Sequence, residues 1–351
     1  MSQEQHGVSR RDVLKRGGAL GAGMAAGLSL AGDALASGGP PSRLALPRPQ
    51  DTPKRKVIFV NHDNNPFFVP VRIGLETFAG MAGWETQFTG PPTGDTVATV
   101  ELQRQAIAAK PDAVGFTRID TTSFDDNIRE AQQQGIFVIL FNTESANYKE
   151  LGVAYVGQNF QVAGRTNGLQ AAQAAHEITG RTEGKIVMGT IQPGHSALEG
   201  RMAGTTEGVN EYNQKNGTKF TTESLETSTD GAKSIAAQQA KYAAEGDQIV
   251  GFAHADFGHQ FTAQMIRENG LQGKLANGGF DLLEGVLQAI KAGEAQWSIG
   301  QNPYGQGWVT ASLIHMQLEA GYPPFDYDTG SEVVDASNID AVMEREAKFA
   351  R

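Results

Sequence analysis

The chain has 351 residues, 39% of them hydrophobic and 19% charged, with 43 glycines and 14 prolines scattered without a period. That length supports two domains, each with its own core, and the composition excludes collagen-like, low-complexity and disordered classes. A formal charge of -10 argues against nucleic acid or an anionic membrane as partner, and the lack of cysteine excludes disulfides, thiolate metal sites, a cysteine nucleophile and a lipidated N-terminal cysteine.

Near the start, Ser9-Arg10-Arg11-Asp12-Val13-Leu14-Lys15 precedes a Gly/Ala/Leu stretch that ends at Leu30, and Ala34-Leu35-Ala36 follows as a small-x-small cleavage site. The pattern predicts a twin-arginine signal peptide over residues 1–36, export to the periplasm and cleavage near Ala36. The apolar stretch is short and glycine-rich, below the ~20 residues of a bilayer span, so no stable membrane insertion is expected after cleavage. Cleavage removes four basic residues and three acidic ones, which takes the formal charge from -10 to -11. Residues 37–54, rich in Gly, Pro and Ser, read as a flexible leader.

Beyond the leader, Lys56–Asn61, Ala113–Arg118 and Phe137–Asn142 are apolar runs suited to strands buried on both faces. Ser123 precedes Asp125 and Asp126, offering a cap and two carboxylates to the positive end of a helix that runs to about Gln134 and stops at Gly135. Val153–Gln158, Lys185–Thr190, Gln248–Ala255, Leu275–Asp281 and Trp297–Gln301 read as further strands. Helical patterns fall near Val162–Thr179, Ser196–Asn213, Asp230–Ala244, Phe257–Asn269 and Tyr304–Ala320. Such βα alternation predicts an α/β protein with two doubly wound parallel sheets.

The turn after the first strand, Asn61-His62-Asp63-Asn64-Asn65-Pro66-Phe67-Phe68, opens a helix. Asn65 would cap it with Pro66 at the first helical position, although Pro70 then costs a hydrogen bond, so the helix is either distorted or begins later. Ligands of open parallel sheets sit beyond the carboxyl ends of the strands, where this turn would present amides and rings. A pyranose has an apolar C–H face for a ring to cover and a rim of hydroxyls for amides, carboxylates and guanidinium to pair. The competing reading makes Phe67 and Phe68 core residues.

The Asn-Asn-Pro-Phe-Phe segment, Gly279-Phe280-Asp281 and Gln301 resemble, in order and spacing, the ribose-binding branch of the periplasmic binding proteins, over Lys56 to Gly330. The resemblance implies the type 1 fold: two lobes joined by three hinge strands, closing on a ligand that is passed to the permease subunits of an ABC transporter. It divides the chain into a first lobe of residues 55–158 plus 302–330 and a second of 159–301 plus 331–351. It implies Asn65, Phe67 and Phe68 as first-lobe contacts, Thr117 and Asn142 at strand ends, Arg201 from the second lobe, and Asp281 and Gln301 completing the site. The competing readings make Arg201 an exposed helical arginine paired with Glu199 or with solvent, and Asp281 an N-cap for a helix starting at Leu282, a role it could fill beside the ligand. As a ligand residue, Arg201 is expected to be replaceable by alanine at little cost to stability.

The sequence also departs from that branch. Its acid-arginine pair is here Asn142-Thr143, its second-lobe aromatic aligns with Thr229 and its asparagine with Ala255, so a ribose clamp is incomplete. Arg118 and Asp256 are taken as ligand contacts that compensate, with His62, Asp120, Glu144 and His254 as further candidates. The ligand class is therefore a small neutral carbohydrate or polyol, with a furanosyl signalling molecule or another solute as the alternative. A Rossmann enzyme would need G-x-G-x-x-G where the chain has His-Asp-Asn-Asn-Pro-Phe-Phe, and a transcription regulator a helix-turn-helix where it has an export signal. His254-Ala-Asp256-Phe-Gly-His259 is not read as a metal site, because a strand-to-helix turn points such side chains apart. No cofactor, no nucleic acid and a monomer are expected.

Overall fold

The computed structural model describes residues 54–349; the export signal and all of the leader before Lys54 lie outside the described residues. Val57 to Val60 are fully buried, so Lys56–Val60 (β1) runs through the middle of a sheet with both faces covered. It pairs in parallel with Glu85–Thr89 (β2) and Ala113–Phe116 (β3). The sheet continues through Phe137–Phe141 (β4) and Tyr155–Gly157 (β5). A second sheet is built from Glu183–Thr190 (β6), Lys219–Glu226 (β7), Ile249–Ala253 (β8), Ala276–Phe280 (β9) and Trp297–Gly300 (β10). Late in the chain Tyr327–Asp328 (β11) joins the edge of the first sheet, and Glu332–Asp335 (β12) the edge of the second, where it is the one antiparallel partner. The orders are β2-β1-β3-β4-β5-β11 and β7-β6-β8-β9-β10-β12, so the two lobes repeat one doubly wound plan.

Phe68–Ala82 (α1), Thr96–Ala108 (α2) and Asp125–Gln133 (α3) cover the first sheet. Phe160–Thr179 (α4), Ser196–Asn216 (α5), Gly231–Glu245 (α6), His259–Glu268 (α7) and Glu284–Lys291 (α8) flank the second. Pro303–Ala320 (α9) returns to pack on α1, and Ile339–Glu346 (α10) packs on α8. The chain thus passes between lobes three times: from β5 to α4, from β10 to α9 and from β11 to β12. Gln158, Gln301 and Gly330 sit on those three crossings.

Strands read from apolar runs agree with the structure to within a residue or two at most ends, whereas β2, β7, β11 and β12 have no such run. All four are sheet edges, half open to solvent, and polar residues occupy many of their positions. Three helix starts also differ from expectation. α1 begins at Phe68 rather than Pro66: Asn65 Oδ1 accepts the Phe67 N–H at 2.9 Å, in a turn that leads into the helix. Pro70 then falls in the first helical turn, where its missing N–H has no intrahelical partner to lose. Ser123 caps nothing; its N–H donates to Asp120 Oδ1 at 2.7 Å and α3 starts at Asp125. α8 starts at Glu284, too far on for Asp281 to cap it.

Helices α4 and α5 cross in backbone contact. A Cβ on Gly164 would lie 2.2 Å from the Arg201 carbonyl oxygen, and one on Gly168 only 2.0 Å from that of Thr205. A side chain at either position must push α5, and Arg201 with it, off the second sheet. We expect Gly164→Ala to lower stability by about 1–3 kcal/mol, the usual cost of overpacking, read as a melting midpoint several degrees lower. An unchanged midpoint would show that the helices slide apart freely.

Candidate functional site

The carboxyl ends of β1 and β4 face those of β6, β8 and β9 across the cleft, and a chamber of about 80 Å³ lies between them. One water-sized group needs about 10–15 Å³ on this scale, so the chamber suits a single sugar ring or smaller and not a chain of rings. The turn after β1 supplies His62, Asp63, Asn65, Phe67 and Phe68; the end of β4 supplies Asn142 and Thr143. The second lobe contributes His195, Arg201, Asp256 and Asp281, and Gln301 comes from a crossing segment. Phe160, Phe257 and Leu198 complete apolar walls.

Arg201 is the most constrained of these. It is 4% exposed, with its guanidinium carbon 4.2 Å from the centre of the Phe280 ring. Nε and Nη2 donate to Gln158 Oε1 at 3.2 and 2.9 Å, and Nη1 donates to the Ala255 carbonyl at 3.0 Å. Five donors against these three bonds leave N–H groups to spare for a ligand. Burial lowers its pKa from the ordinary value, opposed by Asp281, Tyr155 and Asp256.

Both second-lobe carboxylates are starved of water. Burial pushes Asp256 up to about 7, although its oxygens accept the N–H groups of Gly258 at 2.7 Å and Ile191 at 2.9 Å. Asp281 is also raised by burial, opposed by Arg201 and by Gln301, whose amide donates to Oδ1 at 2.6 Å. Its φ of 72° turns the carboxylate off the strand line toward that crossing residue. From there the polar chain runs on through Gln306, which donates to the Gln301 carbonyl at 3.1 Å and accepts from Asn142 Nδ2 at 3.0 Å. Thr143 spends its hydroxyl on Asn142 Oδ1 at 2.8 Å.

The lobes also touch directly. His62 Nε2 lies 3.4 Å from His195 Nε2, and Ser196 bonds the carbonyls of Ile119 through its N–H (3.1 Å) and of Glu144 through its hydroxyl (2.6 Å). His195 Nδ1 accepts the Ala197 N–H at 3.2 Å, which caps α5 and puts the ring proton on Nε2, facing His62. Burial, then Arg201, lowers His195 to about 4; burial, then His195, holds His62 well below the usual imidazole value.

Of the residues expected at the site, Asn65, Phe67, Phe68, Asn142, Arg201, Asp256, Asp281 and Gln301 converge on the chamber. Thr117 and Arg118 do not. β3 ends at Phe116, and the Arg118 guanidinium turns into the loops beside it, donating to Asp125 Oδ1 (2.8 Å) and to the carbonyls of Ser145 (2.9 Å), Ala146 (3.0 Å) and Thr121 (2.9 Å). It is a loop staple with its directions filled. The Thr117 side chain is wholly buried and its carbonyl takes the Gln103 amide at 3.1 Å. Asp120 and Glu144 also lie off the chamber, as does His254, which pairs with Thr262 Oγ1 at 2.7 Å. His254 and His259 are both lowered to about 3 by burial, and among the described residues no group of three His, Cys, Asp or Glu could hold a metal ion.

Sequence reasoning missed His195, Asp63, Phe160 and Phe257. His195 stands directly before the helix that carries Arg201, at the carboxyl end of β6. The rule that drew attention to the turn after β1 applied equally there.

Residues 57–322 match the sequence profile of the periplasmic binding protein domain. The chain belongs to the periplasmic binding proteins. It is 26% identical over 304 residues to a xylose/arabinose-binding protein of Sulfolobus acidocaldarius, covering 82% of this chain and 72% of the relative. Among solved structures it resembles an ABC transporter solute-binding protein of Burkholderia graminis in complex with D-arabinose: TM-score 0.73, 24% identity, 82% of this chain and 98% of the other. It also resembles a carbohydrate transporter of Acidothermus cellulolyticus in complex with myo-inositol: TM-score 0.70, 24% identity, 85% of this chain and 100% of the other. The family is one of substrate-binding proteins, and no helix among the described residues is long and apolar enough to cross a membrane.

Proposed function

We propose that this periplasmic binding protein captures one small, neutral polyhydroxylated molecule, a monosaccharide or polyol, between its lobes and delivers it to the permease of an ABC importer. The observation that carries the reading is the chamber itself: one ring in size, walled by Phe67, Phe68, Phe160 and Phe257, and rimmed by amides, carboxylates and one guanidinium. Rings cover the C–H faces of a sugar while the polar rim pairs its hydroxyls. Asp63 and Asp281 stand beside Arg201 there, and Asp256, raised to about 7, adds part of a further charge, so a sugar acid or sugar phosphate would meet no surplus of positive charge. The sugars named for the relatives agree in class, and nothing in the chamber needs to break a bond for this role. In keeping with that role, the twin-arginine segment and Ala34-Leu35-Ala36 would export the chain and release it as a soluble monomer cleaved near Ala36.

The test is a melting panel of D-arabinose, D-xylose, D-fructose, D-allose and myo-inositol beside sugar acids, nucleotides and amino acids. The right ligand at a hundred times its Kd should stabilise the protein by about 2.7 kcal/mol and raise the midpoint by about 4 °C. A shift produced only by an amino acid, a nucleotide or an anionic sugar would overturn the reading, as would turnover of any sugar by the purified protein.

A further inference from the structure

The three crossing segments meet at one side chain. Gln158 opens the first crossing, directly after β5, and is fully buried. Its Nε2 donates to the Gly300 carbonyl at 3.3 Å, on the second crossing, and to the Gly330 carbonyl at 3.1 Å, on the third. Its Oε1 is the acceptor that holds Nε and Nη2 of Arg201. The backbone of Gln158 is tied in turn to the first lobe, since the Tyr155 hydroxyl lies 2.8 Å from the Asn142 carbonyl and 3.2 Å from that of Gln158.

We propose that Gln158 is a positioning residue that couples the Arg201 guanidinium to the angle between the lobes, so that ligand capture at Arg201 and hinge closure proceed together. The ligand half of this proposal rests on the sugar-binding reading above. An amide is suited to the task because one end donates twice and the other accepts. A carboxylate would hold Arg201 but face two carbonyls without a proton; an ammonium would bond the carbonyls and repel the guanidinium. With the side chain dry, water cannot stand in for a lost partner. Rotation about the hinge carries Gly300 and Gly330 relative to the first crossing, and the rigid amide passes that rotation to the atom that orients Arg201.

The chain has no cysteine, so Val97→Cys on α2 and Lys233→Cys on α6, both exposed, accept spin labels at those two sites alone. The open-to-closed ratio is read from interlabel distances without ligand, then with D-arabinose, D-xylose and myo-inositol in turn. Gln158→Leu, which removes both ends of the amide, and Gln158→Glu, which keeps only the acceptor, should each raise the ligand-free ratio at least fivefold. Both should weaken binding of whichever sugar stabilises the wild type about tenfold or more. Arg201→Met should raise the ratio too, and the Gln158→Leu/Arg201→Met pair should raise it no further than the larger single change. Effects that multiply, or a Gln158→Leu protein that melts earlier with ratio and affinity unchanged, would reduce Gln158 to a packing residue. Should Gln158→Leu not fold, the Gln158→Glu ratio decides alone. If none of the three sugars binds but the ligand-free ratios move as described, the ligand reading fails and the hinge coupling stands.

Discussion

Compared with a His62→Gln/His195→Gln variant, the wild-type protein should lose ligand affinity steeply between pH 7.5 and pH 5, by about thirtyfold at the lower limit through His195 and further in the same direction through His62. Parting the lobes would return both imidazoles to solvent and toward the ordinary value of about 6.5. With the lobes in contact they stand 3.4 Å apart, buried, with His195 lowered to about 4 and His62 lowered well below the usual value. A depressed imidazole favours the state that keeps it neutral, so the closed form is fully supported above pH 6.5 and loses ground as the open form gains protons below it. Around the pair lie Asp63, Arg201, Asp256 and Asp281. Arg201 reinforces the trend. Asp63, Asp256 and Asp281 oppose it, because their raised pKa values let a closed lobe keep protons that an open one releases. The comparison with the double variant isolates the histidines from those carboxylates. Equilibrium binding by calorimetry across this range checks the point, and parallel pH profiles for the two proteins would remove the histidines from the closing contact.

The second large effect belongs to Arg201. Replacement by lysine keeps the charge but not the planar fork, and should raise Kd by about one to two orders of magnitude with the fold intact. Replacement by alanine should abolish binding and also destabilise the protein, against the expectation drawn from sequence that stability would hardly change. Gln158 Oε1 and the Ala255 carbonyl would be left buried without their donor, at about 1–3 kcal/mol each, and Phe280 would lose the group stacked on it. Thermal melts without ligand read the destabilisation, and calorimetry with the sugar found in the panel reads the affinity. An Arg201→Ala protein that melts like the wild type would mean that the guanidinium does not hold the inter-lobe structure together.

The turn after β1 was readable from its residues because a strand end followed by amides and rings is a local signal. Asp281 and Gln301 could be placed only through their order and spacing relative to that turn. Arg118 shows where such reasoning stops. It follows a buried strand in the same way as residues that line the chamber do, yet Asp125 and the carbonyls of Ser145 and Ala146 draw it out of the cleft. Those partners lie far enough along the chain that no local pattern gives their direction. His195 is the converse case, a residue that also follows a strand end yet becomes half of an inter-lobe contact only once two sheets are set face to face.

Apolar periodicity, strand ends and turn chemistry by themselves determined the α/β class, the repeated doubly wound plan and the general location of the cleft, since burial on both faces leaves its mark on every residue of a central strand. Tertiary structure alone decided which polar groups meet inside that cleft. The Gln158 hub, the paired histidines and the Asp281–Gln301 bond join residues from 20 to more than 170 positions apart, and burial in the assembled fold removes the water that would otherwise satisfy them.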